Sequence, residues 1–190
     1  MIFLRIYLLC GLLVHKAVWE ILKRRQTTAS SNVTDRASLH VQMVKAIKVV
    51  ILIGLAVQAI LPDVLPLTSD PLGLRMAGAF IYSAGLLIAI RGRTELGRNW
   101  SDIEAATILS GQRVVSGGPY RLIRHPIYVG DLLLLLGFEL ALNSWLVLGV
   151  LLLAPIVLRQ AVQEEKKLSK SLPGYRAYCE GTKRFIPFIV

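Results

Sequence analysis

The stretch "DLLLLLGFELALNSWLVLGVLLLAPIVL", Asp131 to Leu158, decides how this chain folds. As one straight helix its 28 residues would reach about 42 Å at 1.5 Å per residue. A hydrocarbon core is only about 30 Å thick. The stretch is therefore either one long tilted helix or a hairpin turning near Asn143-Ser144. The basic residues arbitrate. Lys and Arg number six between Lys23 and Lys48, six between Arg91 and Arg124, and seven between Arg159 and Arg184. A hairpin puts all three basic segments on one side. A single helix would send the last of them across, against the bias of basic loops toward the cytoplasm. The hairpin is the reading the charges support.

Working outward, three more apolar runs precede it. They are "IFLRIYLLCGLLVHKAVWEIL" (Ile2 to Leu22), "VVILIGLAVQAIL" (Val49 to Leu61) and "LGLRMAGAFIYSAGLLIAI" (Leu72 to Ile90). The first is long enough to span. The basic "KRR" follows it, whereas a cleaved leader has its basic end first. Between the second and third runs, "PDVLPLTSDPLG" carries prolines and aspartates but no Lys or Arg, and reads as a short non-cytoplasmic turn. The expectation is an all-α, polytopic integral membrane protein. It has about five transmembrane helices, spans 4 and 5 forming the hairpin. Its N-terminus is non-cytoplasmic, and its C-terminus and any active site are cytoplasmic. The chain reads as one domain, residues 1–92 supplying spans 1 to 3 and residues 93–190 the site-bearing region.

The totals agree. The chain has 190 residues, 54% of them hydrophobic and 18% charged, with a mean hydropathy of +0.58. Soluble domains carry roughly 25% charged residues. A net charge of +10 would suggest nucleic acid in a soluble chain. Here the basic residues fall in the loops between apolar runs, and no basic-aromatic interleave of a nucleic-acid module is visible, so no nucleic-acid partner is expected. Cys10 and Cys179 sit in dissimilar surroundings, which argues against a disulfide framework. His15, His40 and His125 show no metal-ligand spacing, so no metal is expected.

The polar residues gather where the fourth run begins. In "GPYRLIRHPIYVG", Gly118 to Gly130, the residue before a proline is steered away from helix, and the proline itself suits a helix's first turn. His125 thus ends a loop and Pro126 opens a helix, with Tyr120, Arg121, Arg124 and Tyr128 around the junction. Taken alone, this is as easily an interfacial belt of arginines and tyrosines against lipid headgroups. After the last run, "RQAVQEEKKLSKSL" continues as helix and turns at Pro173-Gly174. Arg159 and Glu164 would point about 140° apart on it, so they would serve different partners. A solvated charged face explains the same helix. Asp131 and Glu139 are costly inside an apolar region; they would line a substrate route or tie helices together.

Five short motifs in order give the C-terminal half a resemblance. They are "LGRNWS" (Leu96 to Ser101), "GQRVVSGGPYRLIRHPIYVG" (Gly111 to Gly130), "EEKKL" (Glu164 to Leu168), "GYRAY" (Gly174 to Tyr178) and "RFIP" (Arg184 to Pro187). From Leu96 to Pro187 the chain resembles the isoprenylcysteine carboxyl methyltransferases and their phospholipid methyltransferase relatives. That resemblance implies S-adenosylmethionine as cofactor, with S-adenosylhomocysteine as product, bound without the soluble methyltransferase fold. It implies cofactor contacts from Gln112, Arg113, Val114 and Val115, from Tyr120, and from His125, Pro126, Ile127 and Tyr128. It adds the Glu164-Glu165 pair, and an arginine at the position of Arg159 facing the substrate. Gln112 stands where the family often has histidine, and the loop between Trp100 and Gly111 is slightly long. The implied reaction is methyl transfer to the carboxylate of an isoprenylcysteine-like, lipid-tailed or prenylated substrate among membrane lipids. An amine lipid or a small thiol is an alternative acceptor, and a non-enzymatic transport protein is an alternative class.

Overall fold

A computed structural model describes residues 1–27, 39–100 and 111–187 of the chain. Six helices account for most of them: α1 (Ile2–Thr27), α2 (Leu39–Ile60), α3 (Leu72–Leu96), α4 (Pro126–Ala141), α5 (Val147–Ser171) and α6 (Tyr175–Gly181). Among the described residues there is no strand, only two isolated bridges. The all-helical expectation holds. Three helices, at Ile2–Arg25, Leu72–Asn99 and Val147–Ser171, are long and apolar enough to cross a membrane. Among the described residues of α2 the apolar part is Ala46–Ile60, and the 16 residues of α4 reach about 24 Å at 1.5 Å each. Among the described residues the structure thus shows three helices of spanning length and apolarity. The outside of the bundle is apolar: Phe80, Leu152 and Ile60 are each about three-quarters exposed. Contiguous exposed apolar surface of this kind needs lipid or a partner to cover it.

The decisive stretch is a hairpin. α4 stops at Ala141 and α5 begins at Val147. Asn143 takes a positive φ of 57°, which a short polar side chain tolerates better than most. Its side chain amide donates to the Thr68 carbonyl at 2.9 Å, and its Oδ1 accepts from the Thr68 backbone at 3.1 Å. Leu67 N–H donates to the Asn143 carbonyl, and Trp145 N–H to that of Leu65. The α2–α3 loop and the α4–α5 turn therefore lie at the same end. Arg5 of α1 is there too. It donates to the Gln58 and Ala59 carbonyls at 3.3 and 3.0 Å, to the Leu61 carbonyl, and pairs with Asp63 at 2.9 Å. The last turn of α2 has no basic residue of its own. Arg5 supplies the cation that a helix C-terminus favours.

Close packing of α3 on α4 forms the centre. Gly78, Gly85 and Gly92 recur every seventh residue on α3, and Gly130 and Gly137 do so on α4. A Cβ on Gly78, Gly85, Gly130 or Gly137 would overlap the backbone of the partner helix. Small residues at such a seam let two helices approach to backbone contact, where dispersion is strongest. Tyr82 and Phe138 fill the space beside the seam with Leu8, Leu12 and Leu134. The buried Tyr82 hydroxyl donates to the Leu8 carbonyl at 2.7 Å, fixing α1.

Two helices extend further than their apolar runs. α2 begins at Leu39, ten residues ahead of Val49, because "HVQMVKAIK" is a good helix former that apolar content alone does not mark. α3 continues past Ile90 to Leu96, where Gly92 packs on Ile127 and Pro126. The boundary at 92/93 thus falls inside a helix. The polar segment over 28–38 lies outside the described residues, as does 101–110 of the loop after Trp100.

Candidate functional site

The end opposite the hairpin turn collects the polar motifs. His125 adopts a non-helical φ of −124° and ψ of 55°, and Pro126 opens α4, as the HP pair dictates. Tyr120 sits just before, on a 3-10 turn over Gly118–Arg121, and is buried. Gly118 has a φ of 53°, and the Glu95 carboxylate packs against it and Gly117.

The C-terminal motif locks this loop by its backbone. Lys183 N–H donates to the Leu122 carbonyl at 3.3 Å, Arg124 N–H to that of Lys183 at 2.8 Å, and His125 N–H to that of Arg184 at 3.2 Å. The Phe185 ring packs 5.6 Å from the His125 ring. This is the work of "RFIP": it holds "RHP" at a fixed height beside α5.

The glutamate pair then divides. Glu165 is buried and accepts from Arg124 Nε at 2.8 Å, from Arg184 Nε and Nη2 at 3.0 and 2.8 Å, and lies 3.0 Å from His125 Nε2. Arg124 also donates to the Cys179 and Thr182 carbonyls. Glu165 is thus the hub joining α5, α6, the RHP loop and the tail, and its hydrogen bond holds the Arg184 guanidinium above the usual arginine range. Glu164 is different. It accepts from the Tyr128 hydroxyl at 2.9 Å, remains one-third exposed, and faces an open cleft.

That cleft lies between the two distant stretches. It is open to solvent, and with the space at its mouth included it measures about 710 Å³. One wall is Gln112, Arg113, Val114 and Val115. A second is Tyr120, His125, Ile127 and Tyr128. Glu164 with Leu168 and Leu172 forms the third. Of the residues expected to touch a cofactor, all but two are brought together here. Pro126 is buried behind the wall, and Glu165 engages its oxygens with Arg124, Arg184 and His125. Arg159 does not line the cleft. It is exposed on α5, five residues and about 7.5 Å back along the helix from Glu164.

The structure adds lining residues to which the sequence had assigned no role. Asn99 and Trp100 come from the 3-10 turn Gly97–Asn99 that follows α3 and from its C-cap; Tyr175 and Tyr178 come from α6. All four fall inside quoted motifs, so position marked them although chemistry did not. Asn99 orders the 112–115 wall: its Oδ1 accepts from Arg113 N–H at 2.8 Å, and its carbonyl accepts from Gln112 Nε2 at 3.1 Å. The fully buried Arg93 lies 4.2 Å over the Trp100 ring, a cation–π contact. The Tyr178 hydroxyl donates to the Tyr120 carbonyl at 2.8 Å, and burial pushes it up to about 12. Burial likewise pushes the Cys179 thiol up, so it is a poor nucleophile at neutral pH. Among the described residues no cluster of His, Cys, Asp and Glu fits a metal ion.

Asp131 and Glu139 are both engaged. Glu139 is buried and accepts from Gln58 Nε2 at 2.8 Å, tying α2 to α4 near the hairpin end. Asp131 lies 2.9 Å from His15 Nε2 of α1.

Among the described residues, an all-helical bundle with three apolar helices of membrane length and a tyrosine-walled cleft at one end is the architecture of an integral membrane protein. The chain belongs to the phospholipid methyltransferase family, whose profile matches residues 74–173, just over half its length. The match begins in α3 and ends just beyond α5. It takes in every predicted site residue, whereas α1, α2 and α6 fall outside it. The resemblance to the isoprenylcysteine and phospholipid methyltransferases is borne out at the level of this family. Two curated relatives are similar over a similar share. The cobalt-zinc-cadmium resistance protein CzcN of Cupriavidus metallidurans is 35% identical over 100 residues, 48% of this chain and 43% of its own length. The nickel-cobalt-cadmium resistance protein NccN of Alcaligenes xylosoxydans xylosoxydans is 30% identical over 118 residues, 57% of this chain and 52% of its own length. The chain spans about half the length of these relatives.

Proposed function

We propose that this chain transfers a methyl group from S-adenosylmethionine to the polar head of an amphipathic, membrane-resident acceptor, at a cleft on the cytoplasmic side. The observation that carries this is the convergence of residues 112–128 with Glu164 around one open cleft. The residues present fit the cofactor. Its sulfonium and amino group are cationic, and Glu164 is the cleft carboxylate left open to accept them. Trp100, Tyr120, Tyr175 and Tyr178 offer aromatic faces for a cation or a purine ring.

When bound, the cofactor supplies an electrophilic methyl on sulfur. The protein's part is positioning. Tyr128 steers one Glu164 oxygen into the cleft. Asn99 fixes the 112–115 wall, and Glu165 clamps the RHP loop against α5. Holding two reactants in line supplies several kcal/mol of barrier reduction on its own.

The acceptor's chemistry is the finer question. A carboxylate acceptor of the isoprenylcysteine kind is ionised at neutral pH and needs only orientation. In that reading Arg159, with its planar fork, holds the carboxylate at the lipid-facing approach rather than inside the cleft. An amine acceptor must lose a proton first. Purified protein given methyl-labelled cofactor with a farnesyl-cysteine analogue, phosphatidylethanolamine or a small thiol separates them. Label on a lipid acceptor supports the proposal, base-labile if an ester. Label on none, with no saturable cofactor binding, overturns it in favour of a non-enzymatic membrane protein.

A further inference from the structure

Among the described residues, Arg93 is the most deeply buried charged side chain, with no exposed surface. Arg91, two residues earlier on the same helix, is exposed. A buried charge needs partners to hold it, and those of Arg93 lie where α3 ends. Its Nη1 donates to the Gly97 carbonyl at 3.2 Å, and the Gly97 N–H donates back to the Arg93 carbonyl. Gly97 breaks the helix with a φ of 51°. The guanidinium then lies 4.2 Å over the Trp100 ring. Arg93 therefore fixes the turn that carries Asn99 and Trp100 to the cleft, and it covers one face of the indole.

That contact decides what Trp100 can accept from the cleft. An indole face attracts a cation through its quadrupole. With a guanidinium already on the ring, a second cation brought to it meets like charge across a thin, low-dielectric slab. A neutral purine meets no such repulsion and gains base–aromatic stacking. The charges around the cleft are graded in the same sense. Arg113, on the segment that Asn99 holds, adds a second positive charge beside Trp100. Glu164 lies on a different wall. Burial and the Glu164 carboxylate push the Tyr120 hydroxyl up, while the Arg93 charge draws it down. Tyr120 thus feels a positive pole from α3 and a negative one from α5.

We propose that Arg93 is a positioning residue that reserves Trp100 for the adenine ring of the cofactor and bars the sulfonium from it. This rests on the methyl-transfer reading and adds the direction in which the donor lies. The adenine sits against Trp100 and the 112–115 wall. The sulfonium and amino group point to Glu164, so the methyl is presented beside α4 and α5. Trp100 alone would accept either end of the cofactor; Arg93 behind it makes the choice.

The test uses the purified full chain and two measurements. One is photolabelling by 8-azido-S-adenosylmethionine, with the labelled peptides identified by mass spectrometry. The other is equilibrium binding of S-adenosylmethionine and of adenosine. In the unaltered chain the label should fall on residues 99–100 or 112–115. Trp100→Ala should weaken both ligands alike, about tenfold, the scale of one lost base–aromatic stack. Glu164→Gln should weaken S-adenosylmethionine about tenfold and leave adenosine within twofold. Arg93→Met should spread the label onto the α5 peptide that holds Glu164, and Arg93→Lys, which keeps the cation, should leave it in place. A purely structural Arg93 would lower stability in both variants without moving the label. Label on α5 in the unaltered chain overturns the proposal. So does a Trp100→Ala variant that leaves adenosine binding intact, or equal labelling patterns for the Arg93→Met and Arg93→Lys variants. If Arg93→Met does not fold, the Trp100→Ala comparison decides. Each of these leaves the methyl-transfer reading standing, whereas absence of saturable S-adenosylmethionine binding by the unaltered chain removes both.

Discussion

Glu164 and Glu165 are adjacent and chemically identical, yet the fold gives them unlike tasks. Successive helical residues point about 100° apart, so one faces the cleft and the other the space under the RHP loop. Glu165→Ala would leave Arg124 and Arg184 short of a shared carboxylate. Losing one partner of a buried ionic hub costs about 3–5 kcal/mol, and the partial exposure of Arg184 reduces that to about 2–4 kcal/mol. Thermal unfolding in detergent should show the drop. Glu164→Gln should leave that melting temperature within about 1 °C, because Glu164 is one-third exposed and the hydrogen bond it accepts from Tyr128 survives in the amide. It should instead weaken cofactor binding. The sequence made the pair legible through its motif, but not which member does what. That depended on where Arg124, Arg184 and His125 arrive from other segments, and only Arg184 belonged to a quoted motif of the tail. Arg159 shows the same limit: its angular offset from Glu164 was readable, but not that the offset carries it out of the cleft.

At the level of elements, the hairpin was legible because charge and length both excluded a single helix. The seam beside it was not. The glycines at 78, 85 and 92 and at 130 and 137 were all in view, but periodicity says nothing about partners until two helices are paired. Gly85→Leu should fail to dock α3 on α4, costing at least about 3 kcal/mol as an overpacked contact against backbone. It should show as loss of the monodisperse species in gel filtration. Asn143 makes the complementary case at the turn. Asn143→Ala pays about 1–2 kcal/mol for the left-handed backbone and loses the two bonds to Thr68. Asn143→Gly loses the bonds but not the backbone conformation. Chemical denaturation should therefore rank the glycine variant above the alanine one. The long helices α2 and α3 outran their apolar runs for a plain reason. Helix propensity and end contacts, not hydropathy, decide where they start and stop.

Across the whole molecule, one end carries Arg5, Asp63, Arg75 and the hairpin turn, while the other carries Arg124, Glu165, Arg184 and the cleft. The polarity follows from the order of elements, and the sequence implied it through the three basic segments. With Cys10 and Cys179 replaced by serine, single cysteines at Thr68 and Glu180 should react with a membrane-impermeant maleimide from opposite sides of sealed vesicles. Labelling of both from one side would contradict the bundle's polarity. The most direct measurement concerns the cleft itself: equilibrium binding of S-adenosylmethionine to the purified full chain, alongside Glu164→Gln from α5 and Tyr120→Ala from the loop. The account predicts saturable single-site binding, weakened at least tenfold by either change. Binding indifferent to both, or none that saturates, would contradict it.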